Sequence, residues 1–505
     1  MKKIVLPLAF VALVVLLLSG SYPGSTDDMS KAQAQTSTAP HPNIIFILTD
    51  DMRKDDLNYM PKTKALLQNK GMTFENAFVS HALCCPARAT IMRGQYAHNT
   101  GVLSNSATDS SSTTSGGWQA YKANGNEADN VATRLDAAGY RTGLFGKYLN
   151  GYMDSTTDIP NGWDRWFATQ GAYFNYDAND QGTITHFGTT ASDYQTDVLS
   201  KKTKTFISYS ASLGKPFFAY VAPKAPHEPA TPAPRYVHTI YDGVKAPRLP
   251  SFNEADVSDK PPWIRQLPRL SDAAKAAIDN RHEKRVETLQ GVDDLVEGVV
   301  NSLNNAGVMN NTYVFFTSDN GWHHGEHRIP NGKWRPYEED IHMPLLVRGP
   351  DPAAGSAPEV QQGSTYRLAV NTDYLPTFTN LAGVQTPPYV DGRSLKPVLD
   401  GSVTTWRNAI LLEAAADHSP AYAGIRTVNS STTSTTSKGK YVEYEGGERE
   451  LYDLNADPYE LTDKYNANTP PAGLVSRVQA LKSCGTIPDP DQPTKVTCQA
   501  AEDGP

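Results

Sequence analysis

Cysteine is scarce: the chain has four in 505 residues. That number excludes a disulfide-dense scaffold, and no cysteine pair has further thiols nearby, which argues against a closed tetrahedral zinc site. Long runs of Lys and Arg are also missing, and the formal net charge is −8. Nucleic acid is therefore excluded as a general partner, because phosphate binding needs clustered positive charge. Apolar runs are short. The longest, Ile4 to Leu18, falls below the ~20 residues that span a bilayer, and no other segment is apolar for long enough, so the mature form is expected to have no membrane span. What remains is an ordinary globular composition, 39% hydrophobic and 20% charged, long enough to bury a large core in one α/β domain plus a smaller unit.

The first residues give an address. Lys2 and Lys3 precede the apolar run, and small and polar residues follow it. Residues 1–34 therefore read as a signal peptide and flexible leader, which predicts a secreted, extracellular protein. Ser19 to Ser21 and the AQA at Ala32 to Ala34 both offer cleavage sites. Export allows Cys484 and Cys498 to close the Pro-rich tail, 484–505, with a disulfide that contributes roughly 2 to 4 kcal/mol. Cys84 and Cys85 are left over. Adjacent residues rarely bridge each other, since a disulfide wants Cα atoms ~5.5 Å apart rather than 3.8 Å. Two small buried side chains is the bland reading of this pair.

Four other stretches share one layout. NIIFIL (Asn43 to Leu48) ends in Thr49, Asp50 and Asp51; YVFFT (Tyr313 to Thr317) ends in Ser318, Asp319 and Asn320. KPFFAYVA (Lys215 to Ala222) runs into PKAPH, ending at His227, and Thr142 to Phe145 runs into Gly146 and Lys147. Each is a buried parallel-type strand followed by polar residues, which is where an open α/β sheet places its ligands. Asp50, Asp51, Asp319 and Asn320 offer oxygen only, a set suited to a hard divalent ion, Ca2+ or Mg2+. Without a cation, three converging carboxylates would repel. Either acidic pair alone could be a turn or helix cap; their recurrence after matching strands favours a shared site. Asp55 and Asp56, past Arg53 and Lys54, read instead as solvated. Arg88, Lys147 and Lys333, with His227, would add charge suited to a tetrahedral anionic ester.

Cys84, Cys85, Pro86, Ala87 and Arg88, with Gly94 six residues beyond the arginine, resemble the signature of type I sulfatases, CxPxR. NIIFILTDD, GYRTGLFGK, PHEP, TSDNG, Gly332 with Lys333, MPLLVRGP and LYDLNADPYE resemble further landmarks of that family in the same order, across residues 41 to about 465. The double cysteine, QYAHNTGV, GKYLN, APHEP and PLLVRGP are most similar to the branch of N-acetylglucosamine-6-sulfatases and extracellular heparan endosulfatases. Pro86 lies two positions after Cys84, so the resemblance puts Cys84 at the cysteine that sulfatases oxidise to formylglycine. A formylglycine-generating enzyme is then implied as a partner during maturation. The implied substrate is a small-molecule or glycan sulfate ester, a sulfated amino sugar or an aryl sulfate. One departure is Leu149, where many arylsulfatases carry a histidine; Asn150 is a candidate replacement. Ala87 stands where serine is commoner.

The resemblance also implies roles. Asp50, Asp51, Asp319 and Asn320, with the modified Cys84, would hold the metal; Arg88 would orient the diol; Lys147 and Lys333 would bind sulfate; His227 would carry a proton or donate to sulfate. The aldehyde at residue 84 would hydrate, and its two hydroxyls would attack sulfur and then eject sulfate. His323 and His324 are either further contacts or loop residues, and His81 has no role assigned. Two rivals stand: a phosphonate or phosphate ester hydrolase of the same superfamily, and a non-catalytic protein that binds sulfated glycans.

The expected architecture is a large mixed, mainly parallel sheet between helices over 41–400, resembling the alkaline phosphatase fold, and a smaller α+β subdomain over 401–483. Its pieces are ILLEA, AGIRTV, KYVEYE, LYDL and a helix from Leu474 to Leu481. Ser104 to Gly117 is expected to form a loop near the signature, and residues 224–265 a long Pro-rich insertion.

Overall fold

A computed structural model describes residues 41–106, 115–352, 359–416, 420–428, 438–485 and 496–504. The leader, most of the expected loop after Ser104 and much of the terminal tail lie outside these residues.

Ten strands form one sheet: β1 (Asn43–Thr49), β2 (Met72–Phe78), β3 (Arg141–Gly146), β4 (Arg165–Thr169), β5 (Tyr176–Asp180), β6 (Thr183–Phe187), β7 (Phe217–Ala222), β8 (Thr312–Ser318), β9 (Leu345–Arg348) and β10 (Gly363–Val370). Their order is β10-β2-β9-β8-β1-β7-β3-β4-β5-β6. The central four, β8, β1, β7 and β3, are mutually parallel, whereas β9 and β5 run against their neighbours. The four strands expected to share an edge are therefore adjacent, and their carboxyl ends open on the same side.

Burial on both faces explains why these strands read as unbroken apolar runs. On β1, Ile44, Phe46 and Leu48 face one core with Phe315 and Phe378, while Ile45 and Ile47 face a second with Val314 and Phe316. Helix α1 (Cys84–Arg93) packs on the first face through Cys85, Ala89 and Met92. Two longer helices, α2 (Gln195–Ser212) and α3 (Asp272–Asn305), cover the other through Val198, Phe206, Leu289, Val292 and Val296.

A separate antiparallel sheet follows: β11 (Ala409–Ala414), β12 (Tyr422–Val428), β13 (Lys438–Tyr444) and β14 (Arg449–Asp453). Alternation along these strands divides their side chains. Ile410, Leu412 and Val442 pack with Phe78 and Val370 of the large sheet, whereas Leu411, Ile425 and Tyr441 pack under helix α4 (Ala472–Lys482) and the Cys484–Cys498 disulfide. The combination of a large mixed sheet with helices and a smaller C-terminal sheet is the architecture the sequence predicts.

Candidate active site

Helix α1 begins at Cys84 and ends at Gly94, whose φ of 65° lies in the left-handed region and whose N–H donates to Thr90 O at 2.7 Å. A Cβ there would approach Val390 and Leu375 to 3.1 and 3.2 Å, so glycine is what stops the helix at this packed position. At the amino end, Cys85 N–H donates to Asn105 Oδ1 at 2.9 Å. Cys85 packs into the core; Cys84 faces the strand ends.

Asp50 and Asp51 are consecutive, and in a continuing strand they would point to opposite faces. Asp51 has φ of 68°, a conformation that a short polar side chain tolerates, and the chain turns so that both carboxylates reach Cys84. The Cys84 thiol lies 3.4 Å from Asp50 Oδ1 and 4.0 Å from Asp51 Oδ1. Across from β1, Asp319 Oδ1 accepts the Asp51 N–H at 3.1 Å, and Asn320 Nδ2 donates to Asp51 Oδ1 at 2.6 Å. Asp51 Oδ2 and Asn320 Oδ1 are buried with no hydrogen-bond partner among the described residues. Such orphaned oxygen atoms are costly unless something positive meets them. Donor atoms of Asp50, Asp51, Cys84 and His227 all lie within 4.8 Å of one another. Asp319 is not in that group, and the fit to a hard divalent cation rests on the carboxylates of Asp50 and Asp51 and the orphaned oxygens of Asp51 and Asn320.

Cations close the site from three directions. Arg88, fully buried, donates Nε to Asp319 Oδ2 at 2.8 Å and Nη1 to the Lys147 carbonyl at 3.0 Å. Lys147 donates to Asp50 Oδ2 at 2.6 Å. It follows Gly146, where a Cβ would stand 2.1 Å from Ala222 O; glycine allows the close approach that places Lys147 N–H on Ala222 O at 2.9 Å. Lys333 donates to Cys84 Sγ at 2.7 Å and also to Asp51 Oδ1. Its loop is tied to the lead-in of α1 by Trp334 N–H donating to Ala82 O at 3.1 Å. His227 Nε2 is 3.5 Å from Asp51 Oδ2. All of Asp50, Asp51, Cys84, Arg88, Lys147, His227, Asp319, Asn320 and Lys333 thus gather at one place.

The electrostatics follow from this crowding. Burial opposes ionisation of Asp50, but Lys147, His227, Arg88 and Lys333 outweigh it and hold that carboxyl well below the usual range. Asp51 is lowered too, burial being overcome by Lys333 and His227. Asp319 is raised to about 6 by burial and by Asp50, against the pull of Arg88. Lys147 and Lys333 are both raised, as Asp50 and Asp51 respectively outweigh their burial. His227 falls to about 4 through burial and is neutral near pH 7. Burial and Asp50 push the Cys84 thiol up to about 12. As a thiol it is inert near neutral pH, since thiolate is the nucleophile.

Other expectations need adjustment. Asp56 is buried rather than solvated: it accepts the Arg53 N–H at 3.1 Å and rises to about 6 through burial. Asp55 is partly exposed and pairs with Arg53 at 2.8 Å. His323 and His324 are both buried. His323 Nδ1 lies 2.7 Å from Asp340 Oδ1, and His324 packs 5.0 Å from the His282 ring, so neither is an exposed loop histidine. Asp56, His282 and His324 form a second donor cluster, but Arg53 and Arg285 flank it and oppose a cation. Leu149 is buried in the core, so no polar contact comes from it; Asn150 beside it lines a cavity of about 310 Å³ with Asp50, Lys147 and His227. Lys224 lines the same cavity; it lies in the PKAPH run after β7, but no role is assigned to it from sequence.

Comparison with known proteins agrees with this geometry. The Sulfatase family model matches residues 42–384, and the model of the N-sulphoglucosamine sulphohydrolase C-terminal region matches 325–480. The chain is 34% identical to human N-acetylglucosamine-6-sulfatase over 88% of this chain and 85% of that protein. It is 35% identical to the Extracellular sulfatase SULF-1 homolog of Drosophila melanogaster over 81% of this chain and 36% of that one. A solved structure of a protein with its substrate D-glucosamine-2-N,6-O-disulfate shares the fold, with TM-score 0.67 and 23% identity over 87% of this chain and 97% of the other. Phosphonate monoester hydrolase of Agrobacterium radiobacter does so too, with TM-score 0.61 and 22% identity over 84% and 91%. By its family match, its fold and the residues at its strand ends, the chain belongs to the sulfatase family, whose members are sulfuric ester hydrolases.

Proposed function

We propose that this sulfatase cleaves the sulfate monoester of a sulfated amino sugar, using formylglycine made from Cys84 as its nucleophile. The observation that carries the reading is the position of Cys84 Sγ, at the start of α1, 2.7 Å from Lys333 Nζ and 3.4 Å from Asp50 Oδ1. A side chain there touches both the oxygen donors and the cations, yet the thiol itself holds its proton too tightly to attack. Replacing it by the hydrated aldehyde supplies two hydroxyls in the same place.

A divalent metal, Ca2+ or Mg2+, held by Asp50, Asp51, Asp319, Asn320 and residue 84, would supply charge that acidifies the attacking hydroxyl and neutralises sulfate oxygens. The protein residues do the rest. Arg88 fixes Asp319 and the Lys147 carbonyl, and so fixes the frame around residue 84. Lys147 and Lys333, protonated throughout the neutral range, draw the sulfate oxygens towards the diol. One diol hydroxyl loses its proton and forms a bond to sulfur as the bond to the sugar oxygen breaks, and the proton ends on that oxygen, so the sugar leaves as an alcohol. The second hydroxyl then gives up its proton, to which neutral His227 offers an acceptor, and the C–O bond to sulfate breaks as the aldehyde reforms.

Relatives that bear the names N-acetylglucosamine-6-sulfatase and extracellular sulfatase support an amino-sugar substrate and an extracellular site of action. Among the described residues no helix is long and apolar enough to cross a membrane. The division into a catalytic domain over 41–400, a subdomain over 401–483 and a tail over 484–505 is proposed on the separate four-stranded sheet that follows the large one. The test is a substrate panel with modified protein: N-acetylglucosamine 6-sulfate, an aryl sulfate, and the corresponding phosphate and phosphonate esters. Preferential sulfate release from the sugar is expected. Equal or faster phosphate or phosphonate turnover would overturn the reading, and binding of sulfated glycans with no turnover would identify a non-catalytic protein.

A further inference from the structure

The cavity of about 310 Å³ beside the reacting centre holds one cation that the mechanism above leaves unused. Lys224 follows the end of β7 and is 5% exposed. Its backbone N–H donates to Gln195 Oε1 at 3.0 Å, and its carbonyl accepts the His227 N–H at 2.9 Å, so the residue is held at both ends. The ammonium has no such anchor of opposite charge. Its neighbours are His227 Nδ1 at 3.2 Å and the face of Tyr173 at 5.8 Å, and among the described residues no carboxylate forms an ion pair with it. Lys147, in contrast, rests on Asp50 and Lys333 on Asp51. Burying an unpaired charge is unfavourable, and burial accordingly brings this lysine down to about 8.

The surroundings are open towards the cavity. Gly171 lines it, and even a Cβ there would stand 3.6 Å from Lys224 Nζ. Asn150 lines the same space, and its side-chain amide carries N–H donors that suit an anion. Four basic side chains, Arg88, Lys147, Lys224 and Lys333, and the divalent cation of the proposed mechanism face three carboxylates, Asp50, Asp51 and Asp319, an excess of positive charge. A single sulfate monoester carries one negative charge and is already met by Lys147 and Lys333. Positive charge still exceeds negative after that, and the one ammonium without a carboxylate partner among the described residues, that of Lys224, is where a second anion would be met.

We propose that Lys224 binds a second anionic substituent, a sulfate or carboxylate, on the same sugar that carries the scissile sulfate. The inference rests on the reading of the site as a sugar sulfatase and names the substrate more narrowly: a doubly anionic sugar, with the second group held in the cavity between Lys224 and Asn150. Lys224 is then a specificity residue whose value depends on the substrate's charge.

The experiment compares Lys224→Met, Lys224→Gln and Lys224→Arg with the unmutated protein. Two substrates are used, N-sulfoglucosamine 6-sulfate and N-acetylglucosamine 6-sulfate, together with direct binding of the two desulfated products. Loss of one charged hydrogen-bond partner should lower kcat/KM for the doubly anionic substrate about 10- to 100-fold. The singly anionic substrate should change less than about threefold, and Lys224→Arg should keep the preference. Affinity for N-sulfoglucosamine should fall by a similar factor while that for N-acetylglucosamine stays. Equal losses on both substrates would overturn the proposal, since Lys224 would then act on the transferred sulfate or through His227. No loss on either would overturn it as well. Product binding separates the two levels of inference: charge-selective weakening without any sulfate release by the unmutated protein would sink the proposed function and keep the anion site. Gln and Met variants probe the same charge with different packing, so misfolding of one leaves the other to decide.

Discussion

His98 offers a test of how the small sheet is fastened to the signature region. It sits in the short helix Ala97–Thr100, just beyond α1, and its two ring nitrogens are both engaged: Nδ1 at 2.9 Å from Glu413 Oε2 on β11, Nε2 at 3.1 Å from the Cys484 carbonyl. Two acceptors on one ring favour the doubly protonated form. Burial opposes it, but Glu413 and the Cys484 carbonyl prevail, and His98 rises from 6.5 to about 9. At about 1.4 kcal/mol per pK unit, a rise of this size corresponds to roughly 3 kcal/mol, and partial exposure of the pair trims it to about 2 kcal/mol.

The sign follows from linkage. A histidine whose folded value is raised contributes stability fully below its unfolded value of 6.5 and loses it as pH climbs through about 9. Glu413 is lowered, its burial overcome by His98, so its side of the same interaction is present above its unfolded 4.5 and fades as pH falls. The pair is therefore at full strength near pH 6. His98→Gln should destabilise by about 2 kcal/mol at that pH and by less than half as much at pH 9.5, measured as the shift of the urea midpoint with a common slope. A difference below about 0.5 kcal/mol at pH 6, or one equal at both pH values, would refute the reasoning.

Four other expectations can be checked directly. Cys85→Ala should keep sulfatase turnover and cost about 1 to 2 kcal/mol of stability, because Cys85 packs in the core and does not face the strand ends; loss of turnover in folded protein would show that the wrong thiol was chosen. Lys333→Met should lower kcat/KM by about 100- to 1,000-fold, the scale for removing a donor aimed at developing charge. Asp51→Asn should weaken divalent cation binding in calorimetry, since it neutralises the carboxylate whose Oδ2 has no hydrogen-bond partner among the described residues; unchanged affinity would place the ion elsewhere. Removing Arg88 as Arg88→Leu leaves Asp319 buried without its 2.8 Å partner, and denaturation should show a loss of about 3 to 5 kcal/mol.

Much of the fold was legible because both faces of the central strands are buried. Asn43 to Leu48 and Tyr313 to Thr317 are apolar without alternation, and each stops at polar residues where the sheet ends. The order of strands was not written locally, yet the recurrence of the same strand-end pattern was enough to gather Asp50, Lys147, His227 and Asp319. Spacing within the signature distinguished Cys84 from Cys85, and the helix start now gives the physical reason: one thiol faces the strand ends and its neighbour the core.

What stayed hidden depended on long-range partners. Asp56 looks like any acid in a polar stretch, and only its burial beside Arg53 and Arg285 shows otherwise. Arg285, from the middle of α3, donates to the Asp51 and Pro226 carbonyls and so braces two of the site's turns from 234 and 59 residues away. Nothing near it in sequence signals that contact. Lys224 is the same kind of case: among the described residues no carboxylate pairs with its ammonium in the folded surroundings, which no local pattern encodes.

The central claim is that residue 84 works as an aldehyde hydrate and not as a thiol. Mass analysis of peptide 71–88 from protein made with its modifying enzyme, alongside sulfate release by the same preparation, measures it directly. The account predicts a peptide in which one oxygen has replaced a sulfur and two hydrogens at position 84, with activity proportional to the converted fraction and none from Cys84→Ala. Full activity in protein whose Cys84 is an unmodified thiol would contradict it.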